Sequence, residues 1–588
     1  MKKIFIISLF FIIYASNLFA KQLQIVNEVT KSLADNSASI SGTVLNTIWT
    51  NNSSPYFITG DVTVDNLTIE AGVSIEFAGD FVFKVEGMLS AIGTEESPII
   101  FKKIDSLTDK YTWQGILFDH SPSGSHLRHC LIENSKNSGI RIIDSNPLIE
   151  NCAIINNFSD NIGGGMRVSL NSLIEELIIK NCTITSNSSS IHGGGIYINA
   201  SNGSLTLQDC KINNNRANPN HNSGNYYGGG IYCESAASNL FLINCDIRDN
   251  AALSKNSPHS YCYGGGLYFK AGTIKLLNCN IESNSTYPHA SGGGTNYAYS
   301  YGAGIFQENG SLIVKNCIIS NNSPKGYGEN GSYEKGSGIY TNNASVIVEN
   351  STVAYNTNEG IRNANGIVTI INSIIYFNSD SQIVGNATVS FSNIQKGWSE
   401  GEGNIDLNPY FDSIQNLHID LDSPCIDAGS SRLKYNDQCF LPNGPSYGSE
   451  RNDMGAHGGP GACGYPPHPN CTLLKQYAEA CGITSVNSEN CCDEYNTLSQ
   501  AHNNLANEYN ELSQGYSSLY LSHESLTADY NELNQSYDLL SSQYDALSVS
   551  VNQRIQSILD CCDEDKDGKV SLEEIIKGLE KLVGMQKE

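Results

Sequence analysis

Between residues 130 and 373, apolar and polar positions alternate in short runs, and the runs return as a repeat. Each copy reads as a glycine cluster, a short apolar strand, a second strand, Asn-Cys-x-Ile and then Asn. The clearest is Gly193-Gly194-Gly195-Ile196-Tyr197-Ile198, Leu205-Thr206-Leu207, Asp209-Cys210-Lys211-Ile212 and Asn214. The anchor recurs around Cys130, Cys152, Cys182, Cys210, Cys245, Cys279 and Cys317 and continues at Ser351 and Ser373, at spacings of 22, 30, 28, 35, 34, 38, 34 and 22 residues. Period-two alternation over β-branched residues predicts strands rather than helices. One copy cannot bury its own apolar side, so neighbours must stack on it. The shortest spacing suits a coil of about three short strands, each stacked ~4.8 Å above the last. The pattern therefore predicts a mainly β trunk, a parallel β-helix with an inward Cys ladder and an Asn ladder at a turn. Residues 56–118 fit its opening coils, because Tyr56 to Val64 and Val73 to Phe77 alternate cleanly.

Glycine clusters at 163–165, 193–195, 228–230 and 264–266 predict a corner where backbones approach closely. None follows a strand and opens a helix, which argues against a phosphate-binding loop. Insertions between the Asn turn and the next glycine corner enter at one point of the coil, so they emerge on one side of the trunk. Tyr226, Tyr227, Tyr261, Tyr263, Tyr297, Tyr299 and Tyr301 lie in them. Tyrosine offers large contact area at small entropic cost, so these are candidate ligand-binding residues; the plainer reading is a set of ordered, soluble turns. The aromatic residue after each corner (Tyr197, Tyr232, Tyr268, Phe306, Tyr340) predicts a structural ladder.

These residues resemble the right-handed parallel β-helix repeats of secreted pectate-lyase-like and polymorphic outer-membrane proteins. The resemblance covers roughly 56–398 and implies the fold; that fold hosts lyases, hydrolases, adhesins and scaffolds alike. Asn408-Pro409-Tyr410-Phe411, Ser423-Pro424-Cys425-Ile426-Asp427-Ala428-Gly429 and Arg451-Asn452-Asp453-Met454-Gly455-Ala456-His457-Gly458-Gly459-Pro460 resemble the choice-of-anchor Q module. That implies a closing piece over 404–464 and no chemistry. Asp427, Asp453 and His457 are then expected to hold turns rather than a metal or a substrate.

After a Cys-rich connector at 465–494 the period becomes seven. Leucines stand at 498, 505, 512, 519, 526, 533, 540 and 547, with Tyr or His three residues before each. Such heptads predict a long α-helical coiled coil over 495–560, and with it a homo-oligomer. Asp563-Glu564-Asp565-Lys566-Asp567-Gly568-Lys569-Val570-Ser571-Leu572-Glu573-Glu574 then fits an EF-hand loop. Asp563, Asp565 and Asp567 supply single oxygens, Lys569 its carbonyl, Ser571 a hydroxyl or a bridging water, and Glu574 both carboxylate oxygens to Ca2+. The loop is also similar to those of dockerin modules, which carry two copies where this chain has one. The expected order is thus a signal peptide (1–20), an N-terminal cap (21–55), the β-helix, the closing module, the connector, the coiled coil and an EF-hand segment (561–588).

Composition narrows the function. The 588 residues carry a net charge of −26, which argues against nucleic acid or an anionic membrane as partner. Met1-Lys2-Lys3, an apolar run from Ile4 to Tyr14 and Ala20 read as a secretory signal peptide, too short to span a bilayer. No later run is long and apolar enough to span, so the mature chain is expected outside the cell or on its surface. In such a chain Cys233 and Cys262 are candidates for a bridge between coils, while the ladder cysteines read as core. Acidic residues are sparse in the repeats, and no coil carries the paired carboxylates of a glycosidase. Asp119-His120, with Arg128 and His129 one coil on, is the nearest approach to a cluster. The sequence thus favours a non-catalytic calcium-binding surface protein that presents loops to a polysaccharide or partner. The alternative is a polysaccharide lyase or glycosidase acting on an acidic polysaccharide.

Overall fold

The computed structural model describes residues 39–172, 176–217, 225–236, 239–257, 259–291, 296–437, 446–449, 451–464 and 576–577. The chain divides into two units, residues 1–484 and 485–588. The first holds a parallel β-solenoid. Every strand pairs in parallel with its equivalent one coil on, beginning with Ser39–Trp49 against Tyr56–Ile69. Several inward columns fill the core, three of them as follows. One runs Ile140, Met166, Ile196, Ile231, Leu267, Ile305 and Ile339. Another runs Ile149, Ile179, Leu207, Leu242, Leu276, Val314 and Val348. The third runs Ile132, Ile154, Ile184, Ile212, Ile247, Ile281, Ile319 and Val353. All are fully buried, at about 25 cal/mol for each Å² of apolar surface removed from water.

Two side-chain ladders close each coil. The residue before each Cys or Ser anchor (Asn151, Asn181, Asp209, Asn244, Asn278, Asn316, Asn350, Asn372) takes φ of 44–54°, a conformation Asn and Asp tolerate best among non-glycine residues. Five residues after the anchor, Asn157, Asn187, Asn215, Asn250, Asn284, Asn322, Asn356 and Asn378 form a buried amide ladder. Each Nδ2 donates to the next Oδ1 at 2.9–3.1 Å. These asparagines pack against the third glycine of their own coil. A Cβ on Gly195 would lie 3.0 Å from the Asn215 amide and 2.7 Å from the Gly230 carbonyl. The asparagine and glycine corners are therefore one vertex, and the insertions leave from it.

The insertions build a two-layer fin. Their outgoing strands form a seven-stranded sheet, and their returning strands Asn225–Tyr227, His259–Tyr263, Tyr297–Tyr301 and Ser332–Lys335 form a four-stranded one. Small buried residues pack between the layers, with Ser254 Oγ 3.1 Å from Ser260 Oγ and Thr286 Oγ1 2.6 Å from Ser300 Oγ.

The described residues of 405–464 run back along the side of the solenoid. Ser430 donates its N–H to Asn372 Oδ1 (2.8 Å), Asn350 Nδ2 donates to Asn452 Oδ1 (3.1 Å), and Asn316 Nδ2 donates to the Ala456 and Gly458 carbonyls (2.9 and 2.7 Å). The strap thus climbs the outer Asn ladder toward earlier coils.

One expectation is corrected. The fold class joined the solenoid to a long α-helical coiled coil, but the described residues form strands, turns and three short 3-10 segments, and only Ile576 and Lys577 are helical, so no long helix stands among them. The heptad segment 495–560 and the loop residues Asp563, Asp565, Asp567, Lys569, Ser571 and Glu574 lie outside the described residues. Heptad spacing says which positions would share a face. Only burial of that face makes a helix stable, and spacing does not supply the burial. No helix among the described residues is long and apolar enough to cross a membrane.

Candidate functional site

The outward face of the fin's returning layer meets the outward face of the neighbouring trunk sheet at the glycine vertex. Alternation along each strand sets what each surface shows. On the trunk, the second residue after each corner points outward, giving the column Tyr197, Tyr232, Tyr268, Phe306, Tyr340. On the fin, Tyr227, Tyr263 and Tyr301 pair in register, and Tyr261, Tyr299 and Tyr333 form the next column. Rings stack within each column: Tyr232 and Tyr268 at 5.2 Å and 3°, Tyr261 and Tyr299 at 4.5 Å and 6°. Between the trunk column and the Tyr227 column of the fin they meet at steep angles, as Tyr263 does with Phe306 at 80°. Both arrangements suit the ring quadrupole.

Between these surfaces runs a groove of about 640 Å³, lined by Tyr197, Tyr227, Tyr232, Tyr263, Tyr268 and Phe306 and by His192, Glu234, Lys270, Glu308 and Asn342. The last four form a polar row three residues beyond each coil's corner-facing isoleucine or leucine. The Lys270 ammonium donates to Glu234, the Tyr232 hydroxyl donates to Glu234, and the Tyr268 hydroxyl donates to Glu308. Burial works to raise the Glu234 carboxyl, but the Lys270 and Tyr232 bonds outweigh it and hold it low. Burial and a carboxylate partner push the Tyr232 and Tyr268 hydroxyls well up, so both remain donors. Burial pushes His192 down to about 4, leaving a neutral ring stacked on Tyr232 at 4.9 Å. The strand Ile231–Ala236 carries a register shift against Ile196–Ala200, so Glu234 is an extra residue opposite the Ile198/Asn199 step. Bulges of this kind re-aim side chains near functional sites.

The seven candidate tyrosines divide. Tyr227, Tyr263 and Tyr301 face the groove side; Tyr261, Tyr297 and Tyr299 face outward on the same layer. Tyr226 points the other way, is 3% exposed and packs on Ala252 and Cys262 inside the fin, so it is core and not a binding residue. A one-residue step along a strand decides this. The post-corner rings, expected to be structural, are both a buried cluster and one wall of the groove.

The sequence reading missed Glu234, Lys270, Glu308 and His192. The signal was present as Tyr232-Cys233-Glu234, Tyr268-Phe269-Lys270 and Phe306-Gln307-Glu308, where alternation puts ring and charge on one face. Asp119 and His120 lie outside the groove, in coils before it. The Asp119 column leads through Ile143 and Ser169 to Asn199. His120, 66% exposed, stands 2.8 Å from Asp119 and 3.5 Å from Asp144. Asp427 and Asp453 accept turn N–H groups, Asp453 from Asp427 and Tyr447 at 2.7 Å each. The seven ladder cysteines and Cys425 are free, as are Cys233 and Cys262, which face different interiors. No group of three or more metal-ligating side chains stands among the described residues.

No family model matches the chain, and no curated protein or solved structure is found similar to it. The site is therefore read from its geometry alone.

Proposed function

We propose that this is an exported, calcium-binding β-helix protein that binds a polysaccharide along the fin groove without cleaving it. The observation that carries the reading is the juxtaposition of two aromatic columns with a continuous polar row. Sugar rings have apolar C–H faces and polar edges, and such a groove offers partners for both. Its direction follows the coils, which suits a polymer rather than a compact ligand. The amino-terminal apolar segment supports export. In full-length protein, Tyr197→Ala with Tyr227→Ala is expected to weaken glycan-array binding about tenfold or more, with an unchanged circular dichroism spectrum. Unchanged binding overturns the groove as the site.

The EF-hand-like loop supports calcium binding. Asp563→Ala with Glu574→Gln is expected to abolish calcium uptake at that loop in titration calorimetry of the whole chain. Undiminished uptake refutes the assignment.

One observation favours a second reading, a glycosidase: Glu234 and Glu308 share one row of the groove with Lys270 between them. Paired carboxylates flanking a sugar are the requirement for hydrolysis. Release of new reducing ends that is lost in Glu234→Gln and in Glu308→Gln would establish it over simple binding.

A further inference from the structure

We infer that the polysaccharide taken by the groove is an uncharged one, an inference that rests on the groove being a glycan site. The polar row Glu234, Lys270, Glu308, Asn342 holds two carboxylates and one ammonium. That ammonium is already committed to Glu234 and is counted by its carboxylate neighbours on both sides. A uronate or sulfate laid on the row would meet two like charges and have no free cation to pair with. Like charges at close range in a partly desolvated groove reject a ligand strongly.

The other basic groups do not change the balance. His192 is neutral at physiological pH, because burial disfavours its charged form. Arg362, one coil beyond Tyr340, donates to the buried Glu359. Arg167 lies one coil before Tyr197, beyond the groove lining. The whole chain, at −26, adds a repulsive long-range field for polyanions.

What the groove does offer suits hydroxyl groups. The carboxylates accept, the Tyr232 and Tyr268 oxygens accept as well because their protons go to Glu234 and Glu308, the two N–H groups Lys270 keeps beyond Glu234 donate, and the Asn342 amide does both. The ring columns give each sugar an apolar surface. Five coils, from Tyr197 to Tyr340, line the groove, and at about 4.8 Å per coil this is roughly 19 Å of track. The track is long enough for several sugar units, so recognition is of the interior of an extended chain.

Affinity electrophoresis of the full-length protein at 0.15 M salt tests this with named polymers: hydroxyethylcellulose, glucomannan and soluble starch as uncharged probes, polygalacturonate and alginate as anionic ones, and chitosan as a cationic one. Retardation by at least one uncharged polymer, lost in Tyr197→Ala/Tyr227→Ala, and none by the anionic pair is the expected result. Glu234→Gln with Glu308→Gln is expected to raise retardation by polygalacturonate about tenfold by removing the repulsion. Groove-dependent binding of polygalacturonate or alginate by the unmodified protein overturns the charge inference while leaving the glycan site intact. Groove-dependent binding of chitosan alone also overturns it. Retardation by no polymer, or by all equally and regardless of the tyrosine variants, overturns the glycan reading itself.

Discussion

The anchor position shows how one residue serves two demands. After an Asn at positive φ, the N–H of the anchor residue points up the solenoid. It is met by the anchor side chain of the next coil: Cys279 N–H by Cys317 Sγ at 3.4 Å, Cys317 N–H by Ser351 Oγ at 3.1 Å, Ser351 N–H by Ser373 Oγ at 3.2 Å. This is why Cys gives way to Ser along the ladder and not to Val or Ala. A small side chain able to accept is required, so the ladder is more than packing. Ser351→Cys is therefore expected to unfold within about 1 kcal/mol of the parent. Ser351→Ala leaves the buried Cys317 N–H without its acceptor and should cost about 1–3 kcal/mol in denaturant titration. Asn284 matters more. It accepts from the Asn250 N–H and amide and donates to the Ile247 carbonyl and Asn322. Asn284→Ala is expected to cost roughly 3 kcal/mol or more, because a half-satisfied buried network is worse than none. The sequence made the Cys and glycine positions legible. It pointed to the Asn one place too early, since Asn214 makes the positive-φ turn and Asn215 the ladder. Both read alike until the turn decides which side chain goes inside.

At the scale of elements, the fin and the strap are the parts that alternation alone did not specify. The insertions are irregular in length, yet their returning strands pair in strict register, because each is attached to a coil already fixed above and below. The strap packs Ile419, Cys425, Tyr447 and Met454 against Ile374 and Tyr376 of the trunk. It also buries Asp437 beside Asp453, and burial and mutual repulsion push the Asp437 carboxyl up. A carboxyl raised above its unfolded value binds a proton more readily in the folded state. Its contribution is fully present below the ordinary carboxylate range and is lost as pH rises through its folded value, about 9. The strap is expected to become more accessible to protease and to hydrogen exchange between pH 6 and pH 10. Asp437→Asn, whose oxygen still accepts from the Gly459 and Asp453 N–H groups, should flatten that dependence.

Across the described trunk, stability is a sum of coils and of the interfaces between them. A defect in the middle is felt by its neighbours and little beyond. Gly265 tests this, since a Cβ there would lie 2.3 Å from the Ser285 carbonyl oxygen and 2.6 Å from that of Ala303, both backbone atoms. Gly265→Ala is expected to open the coils around residues 250–300 to limited proteolysis while the coils before residue 160 keep their protection. Uniform loss of protection would show instead that the solenoid unfolds as one unit.

The sequence by itself determined the coil. Its period, its inward columns, its glycine corner and the side on which the insertions leave all follow from alternation and repeat, which are local properties. The tertiary structure decided what lies across from what. Glu234, Lys270 and Glu308 become a row, and the rings beside them a wall, only when successive coils stack in register and the fin folds back over them. Tyr226 and Tyr227 are neighbours in the chain and opposites in the fold for the same reason. Residues 30 to 40 apart come within hydrogen-bonding distance through stacking, and no local pattern carries that information.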